Sequence, residues 1–272
     1  MAELTIGGSR VHYRETGTGP PVILLHSGGS SGAQWRRVCD QLAAHCRGVT
    51  LDFHGHGGTG PWPREPEGRT HDADAEVVSA VIDHIGGRPA HVVGHSYGGG
   101  VAVRLAVIKP GAARSMVLIE PQCWSMLRHG GERAHYDETC DTAYRFLADV
   151  RAGRAEEAWH YFIDTNNGAG SWDRMPPDAR ARIVALTDAG VSLYHANLNH
   201  PTTPDDCREI GVPTLVLVGA RTAPRYRRMA ELVAEHIPGA RLEVLPEAGH
   251  MSPLTHPDAV AAAIERHLTM HG

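Results

Sequence analysis

Short apolar runs alternate through most of this chain with stretches whose apolar positions recur at i, i+3 and i+4. The first pattern is that of buried strands and the second that of amphipathic helices. Their alternation predicts a mainly parallel sheet covered by helices on both faces. The opening departs from it: residues 4–6 and 10–15 flank Gly7-Gly8-Ser9 and predict an antiparallel hairpin. Strands are then predicted over 22–26, 48–52, 90–93, 115–119, 214–218 and 241–245, and helices over 33–44, 72–85, 101–108, 226–237 and 257–268. Between 122 and 206 the strand signal disappears, and helical segments around 137–151, 155–164, 178–189 and 191–197 read as an inserted lid or cap. The expected organisation is a core of residues 1–121 and 207–272 interrupted by a helical cap of 122–206.

Composition narrows the class without naming a function. With 272 residues, 42% hydrophobic and 21% charged, the chain has the make-up of an ordinary globular α/β domain. A net charge of -5 argues against nucleic acid as a partner. No apolar stretch approaches the length of a membrane span, and Met1 leads straight into Leu4-Thr5-Ile6 without a signal-peptide pattern, so a cytoplasmic protein with no membrane partner is expected. The five cysteines are scattered, odd in number and contain no C-x-x-C pair, which predicts reduced thiols rather than disulfides or a zinc site. No cofactor is implied. His54 and His56 lie between glycines without an accompanying acidic or cysteine cluster and read as loop structure rather than metal ligands.

The chemistry concentrates at Gly94-His95-Ser96-Tyr97-Gly98, a G-x-S-x-G pentapeptide between the strand at 90–93 and the helix at 101–108. A serine at such a turn is held in a strained backbone with its hydroxyl above the sheet edge, and the flanking glycines remove Cβ atoms where strand and helix close together. Serine is a weak nucleophile at neutral pH, so Ser96 needs a base within hydrogen-bond reach and a carboxylate to orient that base. Of nineteen histidines, His250 follows the last strand and precedes the last helix, on a loop at the same sheet edge as Ser96.

These motifs resemble those of the α/β-hydrolases over nearly the whole length. His26-Ser27-Gly28-Gly29 is similar to the family's oxyanion loop, Asp52-Phe53-His54-Gly55-His56-Gly57 to its loop after the fourth strand, and Gly249-His250 to its histidine loop. The resemblance implies the α/β-hydrolase fold, a mostly parallel eight-stranded sheet flanked by helices, with a helical cap inserted after the sixth strand. It also implies an oxyanion hole made by the backbone N-H groups of Tyr97 and Gly28, with Ser27 the alternative to Gly28. Position 27 departs from the family's usual glycine, and its hydroxyl is a candidate substrate contact. Most relatives carry the triad acid in a G-x-x-D stretch after the seventh strand, but Gly219-Ala220-Arg221-Thr222 stands there. Some relatives place the acid directly after the sixth strand, where this chain has Ile119-Glu120-Pro121, so Glu120 is the candidate. The alternative is a carboxylate bonded locally at the cap entrance.

The expected function is serine hydrolysis of a small carboxylic ester, with a small molecule as the only implied partner. One rival keeps the fold and cleaves a carbon-carbon bond in vinylogous diketones, and a second is a ligand-binding or signalling protein with little turnover. Arg221, Arg225, Arg227 and Arg228 form a basic group in which Arg221 or Arg225 is a candidate for a substrate carboxylate. Trp124, Trp159, Trp172, Tyr161 and Phe162 either line the pocket or form the core of the cap.

Overall fold

A computed structural model of the chain describes residues 2–272. The hairpin consists of β1 (Ala2–Ile6) and β2 (Ser9–Thr16), and the other strands are β3 (Pro21–Leu25), β4 (Arg47–Leu51), β5 (Ala90–His95), β6 (Ala113–Ile119), β7 (Thr214–Gly219) and β8 (Arg241–Leu245). They join in one sheet ordered β1-β2-β4-β3-β5-β6-β7-β8. The pairs β1/β2 and β2/β4 are antiparallel, and all later pairs are parallel.

The central strands read as continuous apolar runs because both of their faces are covered. Their side chains sort by the two-residue pleat into two separate cores. Val22, Leu24, Val93, Val117, Ile119, Leu215 and Leu217 face one core, which includes Val38 and Leu42 of α1 (Arg36–Leu42) and Val260 and Ile264 of α12 (Pro257–His271). Ile23, Leu25, Val92, Leu118, Val216 and Val218 face the other, with α2 (His71–His84), α3 (Tyr97–Ile108) and α10 (Pro224–His236). That second core continues into six helices between β6 and β7: α4 (Trp124–His129), α5 (Arg133–Arg151), α6 (Ala155–Asn167), α7 (Pro177–Val184), α8 (Thr187–Leu198) and α9 (Pro204–Arg208). A four-residue α11 (Ser252–Thr255) precedes α12.

Two helix expectations need correction. The one over 33–44 begins as a 3-10 turn, Gly32–Trp35, before α1. The break expected at 190 lies instead between α7 and α8, and α8 runs through Gly190. Gly190 is there for packing: a Cβ would lie 3.0 Å from the Trp159 ring and 3.1 Å from that of Phe146. The short α9 was not expected, although Thr203 and Asp206 form a capping box at its start. Among the described residues, no helix is long and apolar enough to cross a membrane.

Candidate active site

Four strand ends converge at the carboxyl edge of the parallel sheet, where open α/β sheets bind their ligands. Ser96 follows β5, Glu120 follows β6, Gly219 ends β7, and His250 lies on the loop after β8. Ser96 has φ 54° and ψ -116°, and Glu120 has φ 44°, both in the left-handed region that a side chain occupies only at a cost in energy. The turn at Ser96 closes only because its flanks are glycine. A Cβ on Gly94 would come within 2.4 Å of the Gly98 carbonyl oxygen, and one on Gly98 within 2.4 Å of the Leu25 carbonyl oxygen of the neighbouring β3. The nucleophile's backbone is also pinned from β6, since Ser96 N-H donates to Ile119 O at 2.9 Å.

The three side chains named from the sequence meet in one line. His250 Nε2 lies 3.0 Å from Ser96 Oγ, and His250 Nδ1 lies 2.6 Å from Glu120 Oε2. With a carboxylate at Nδ1, that nitrogen carries the proton and Nε2 is free to accept one from the serine. Glu120 is fully buried. Burial pushes its carboxyl up, but hydrogen bonds from His250, Thr222 and the Gly219 amide prevail and hold it below the ordinary value. Gly219 N-H donates to Oε1 at 2.8 Å and the Thr222 hydroxyl to Oε2 at 2.6 Å. Thr222, which stands where most relatives have the acid, here supports an acid supplied from β6. Removing this donor in Thr222→Val is expected to lower kcat about tenfold, as befits a lost hydrogen bond to a buried charge. Steady-state kinetics of the variant checks this, and unchanged kcat would deny Thr222 that role. Tyr226 stacks on the His250 ring at 4.6 Å with the planes 28° apart.

The backbone donors are arranged with equal definition. Among the described residues, neither the Tyr97 nor the Gly28 amide donates to a protein group, and both residues line the same cavity as Ser96. The Tyr97 amide is free because it opens α3, whose first N-H groups have no intrahelical partner. His26 directs the Gly28 amide. Its Nε2 accepts from Phe53 N-H at 3.0 Å, which puts the proton on Nδ1, and Nδ1 donates to Ser27 O at 2.7 Å. A trans peptide is planar with C=O and N-H opposed, so fixing the Ser27 carbonyl aims the Gly28 N-H the other way. Ser27 is otherwise engaged: its amide and hydroxyl both donate to Gln34 Oε1, at 3.3 and 2.7 Å. Its O-H proton is thus given to the protein, while Ser27 itself lines the cavity with Ser96. Beneath Tyr97, its hydroxyl bonds Asp74, which pairs with Arg69, and Arg69 reaches Ser192 of α8 at 2.8 Å.

The cavity in front of Ser96 has a volume of about 370 Å³. The aromatic residues divide clearly: Trp124, Trp159 and Phe162 line it, together with Leu193 and Tyr194 of α8. Trp172 instead stacks on His160, and Tyr161 lies under the Arg145 guanidinium. The basic group divides too. Arg221 is not among the lining residues and pairs with Glu247 in solvent. Arg225 does line the cavity, but Glu138 and Asn166 already hold its guanidinium. Arg227 donates to the Gly219 and Ala220 carbonyls, and Arg228 pairs with Glu132 and Glu235. Among the described residues, no group of three or more His, Cys, Asp or Glu side chains is assembled to hold a metal ion.

Gln34, Arg69, Asp74 and Tyr226 were not found by sequence reasoning. Each acts on a partner far along the chain, and none belongs to a motif with its own spacing.

Comparisons with known proteins place the chain in a family. The lipase LipV of Mycobacterium tuberculosis is 28% identical, over 95% of this chain and 97% of its own length. A pimeloyl-[acyl-carrier protein] methyl ester esterase of Nitrosomonas europaea is 24% identical, over 94% of this chain and 98% of its own. The solved structure of a malate-bound thermophilic esterase from Thermogutta terrifontis superposes with a TM-score of 0.78 at 24% identity, covering 100% of this chain and 99% of that one. The model of the alpha/beta hydrolase family matches residues 22–263. With its sheet, its elbow and its relatives in agreement, the chain belongs to the alpha/beta hydrolase family and is a hydrolase.

Proposed function

We propose that this hydrolase cleaves small carboxylic esters through an acyl-enzyme on Ser96, with His250 as base and Glu120 as the acid that orients it. The observation that carries the reading is the unbroken hydrogen-bonded line Ser96–His250–Glu120. In the first half-reaction Ser96 Oγ attacks the carbonyl carbon and passes its proton to His250 Nε2. The oxyanion that forms meets the Tyr97 and Gly28 amides, each worth roughly 3 kcal/mol in the transition state. His250 then protonates the departing alcohol, leaving the acyl group on Ser96. A water attacks that ester, gives its proton to His250, and releases the acid as the proton returns to Ser96. Segment 122–206 is read as a cap over a core of 1–121 and 207–272, because it supplies Trp124, Trp159 and Phe162 to the cavity wall.

A mainly apolar wall suits a short aliphatic or aromatic acyl group better than a highly charged one. The carbon-carbon rival rested on an arginine free to hold a substrate carboxylate, and Arg225 is already paired with Glu138. Side-by-side kinetics on p-nitrophenyl butyrate and a vinylogous diketone acid test the choice. Ester turnover is expected to dominate, and a higher kcat/KM on the diketone would overturn the ester reading.

A further inference from the structure

One buried chain of hydrogen bonds joins the loop that carries the base to the loop that carries the oxyanion amide. It begins at the His250 carbonyl, which can only accept, so His95 Nε2 at 2.8 Å carries the proton. His95 Nδ1 is then an acceptor, and Gln34 Nε2 at 3.1 Å donates to it. This fixes the Gln34 amide with its oxygen toward Ser27, whose N-H and hydroxyl both donate to it. Every step has only one direction, and each member satisfies its neighbour. Ser27, Gln34 and His95 are 2%, 4% and 0% exposed, so water does not replace these bonds. Burial pushes the His95 imidazole down to about 3, which keeps it neutral and Nδ1 able to accept. The His95 ring also lies 5.1 Å from that of His250.

From this geometry we infer that Gln34 and His95 are positioning residues for the reaction, holding the His250 loop in register with the Ser27–Gly28 peptide. The proton acceptor and one oxyanion donor are thereby set relative to each other as well as to Ser96. Serine at position 27 gains a reason here. Its hydroxyl gives the Gln34 oxygen a second donor, which a glycine would not. The assignment rests on the acyl-enzyme reading, since the groups being positioned are those of that reaction.

The test is a double-mutant cycle of Gln34→Leu and His95→Phe, read by kcat and KM on p-nitrophenyl butyrate. Each single variant is expected to lose about 10- to 100-fold in kcat, with KM changed by less than about threefold, because misplacement of preorganised groups acts on the transition state. The double variant is expected to fall no further than the worse single one, as residues of one relay do. Thermal melts establish that each variant is folded. If His95→Phe does not fold, His95→Asn, too short to reach both partners, takes its place with the same expectation. Multiplicative losses, a loss confined to KM, or kcat within about twofold of the wild type in either single variant would overturn the relay. Failure of the ester-cleaving acyl-enzyme reading looks different: the wild-type enzyme itself would turn over no ester, and the relay would fall with it.

Discussion

Glu120→Gln is expected to lower kcat for ester hydrolysis by about 10³- to 10⁴-fold, the largest loss predicted for any change away from Ser96 and His250. The reason lies in the donors already facing the carboxylate. Oε2 accepts from the Thr222 hydroxyl and from His250 Nδ1, and Oε1 accepts from the Gly219 amide. A glutamine must turn its NH₂ toward one of these sides. Facing His250, it favours the tautomer with the proton on Nε2, which then points at Ser96 and cannot take its proton. Facing Gly219, it opposes a backbone N-H that cannot rotate, leaving buried donors unsatisfied at about 1–3 kcal/mol each. The second still offers Nδ1 an amide oxygen, but a neutral one, so neither arrangement restores the carboxylate that stabilises the imidazolium. Activity within tenfold of the wild type would show that Glu120 does not orient the base.

Between pH 7 and pH 5 three buried histidines alone are expected to cost the fold roughly 6 kcal/mol of stability. Burial pushes His56, His71 and His95 down from the ordinary 6.5 to about 3. In the unfolded chain these imidazoles take up protons as the pH falls through 6.5, while in the folded chain they stay neutral until about 3. Stabilisation is therefore complete above 6.5 and is lost progressively on acidification, at about 2 kcal/mol per histidine by pH 5. Glu120 and Asp52 titrate below their ordinary carboxylate values and act at still lower pH. A loss of this size approaches the whole stability of a typical domain. Urea melts across this range check it, with an expected uptake on unfolding at pH 5 of about one proton for each of these three histidines, and more from His91 and His267, which burial pushes down to about 4. A flat stability between pH 7 and 5 would show that these imidazoles are not held neutral by the fold.

Much of this molecule is written locally in its sequence. The strands are legible because their apolar runs are short and bounded, and Ser96 because its motif joins a strand to a helix. His250 is legible from its loop after the last strand and Glu120 from its place directly after β6, the second sharpened by the Thr222 that stands where most relatives have an aspartate. What escaped is what depends on distant partners. Gly190 carries the local signature of a helix break, yet it sits inside α8 because two aromatic rings press against it. Arg69 and Asp74 look like solvated charges until the fold buries them beneath Tyr97. That the Ser27 hydroxyl donates to Gln34 is visible only once the two loops meet. The aromatic residues of 122–206 share one composition, and only packing separates Trp159 in the cavity wall from Trp172 against His160.

Covalent trapping of Ser96 tests the central claim most directly. Incubation of the folded wild-type enzyme with a fluorophosphonate, followed by intact-mass and peptide mass spectrometry, is expected to give one adduct per chain, located on Ser96 and absent in Ser96→Ala. A folded enzyme that hydrolyses esters but carries no adduct on Ser96, or carries it on another residue, would contradict the account.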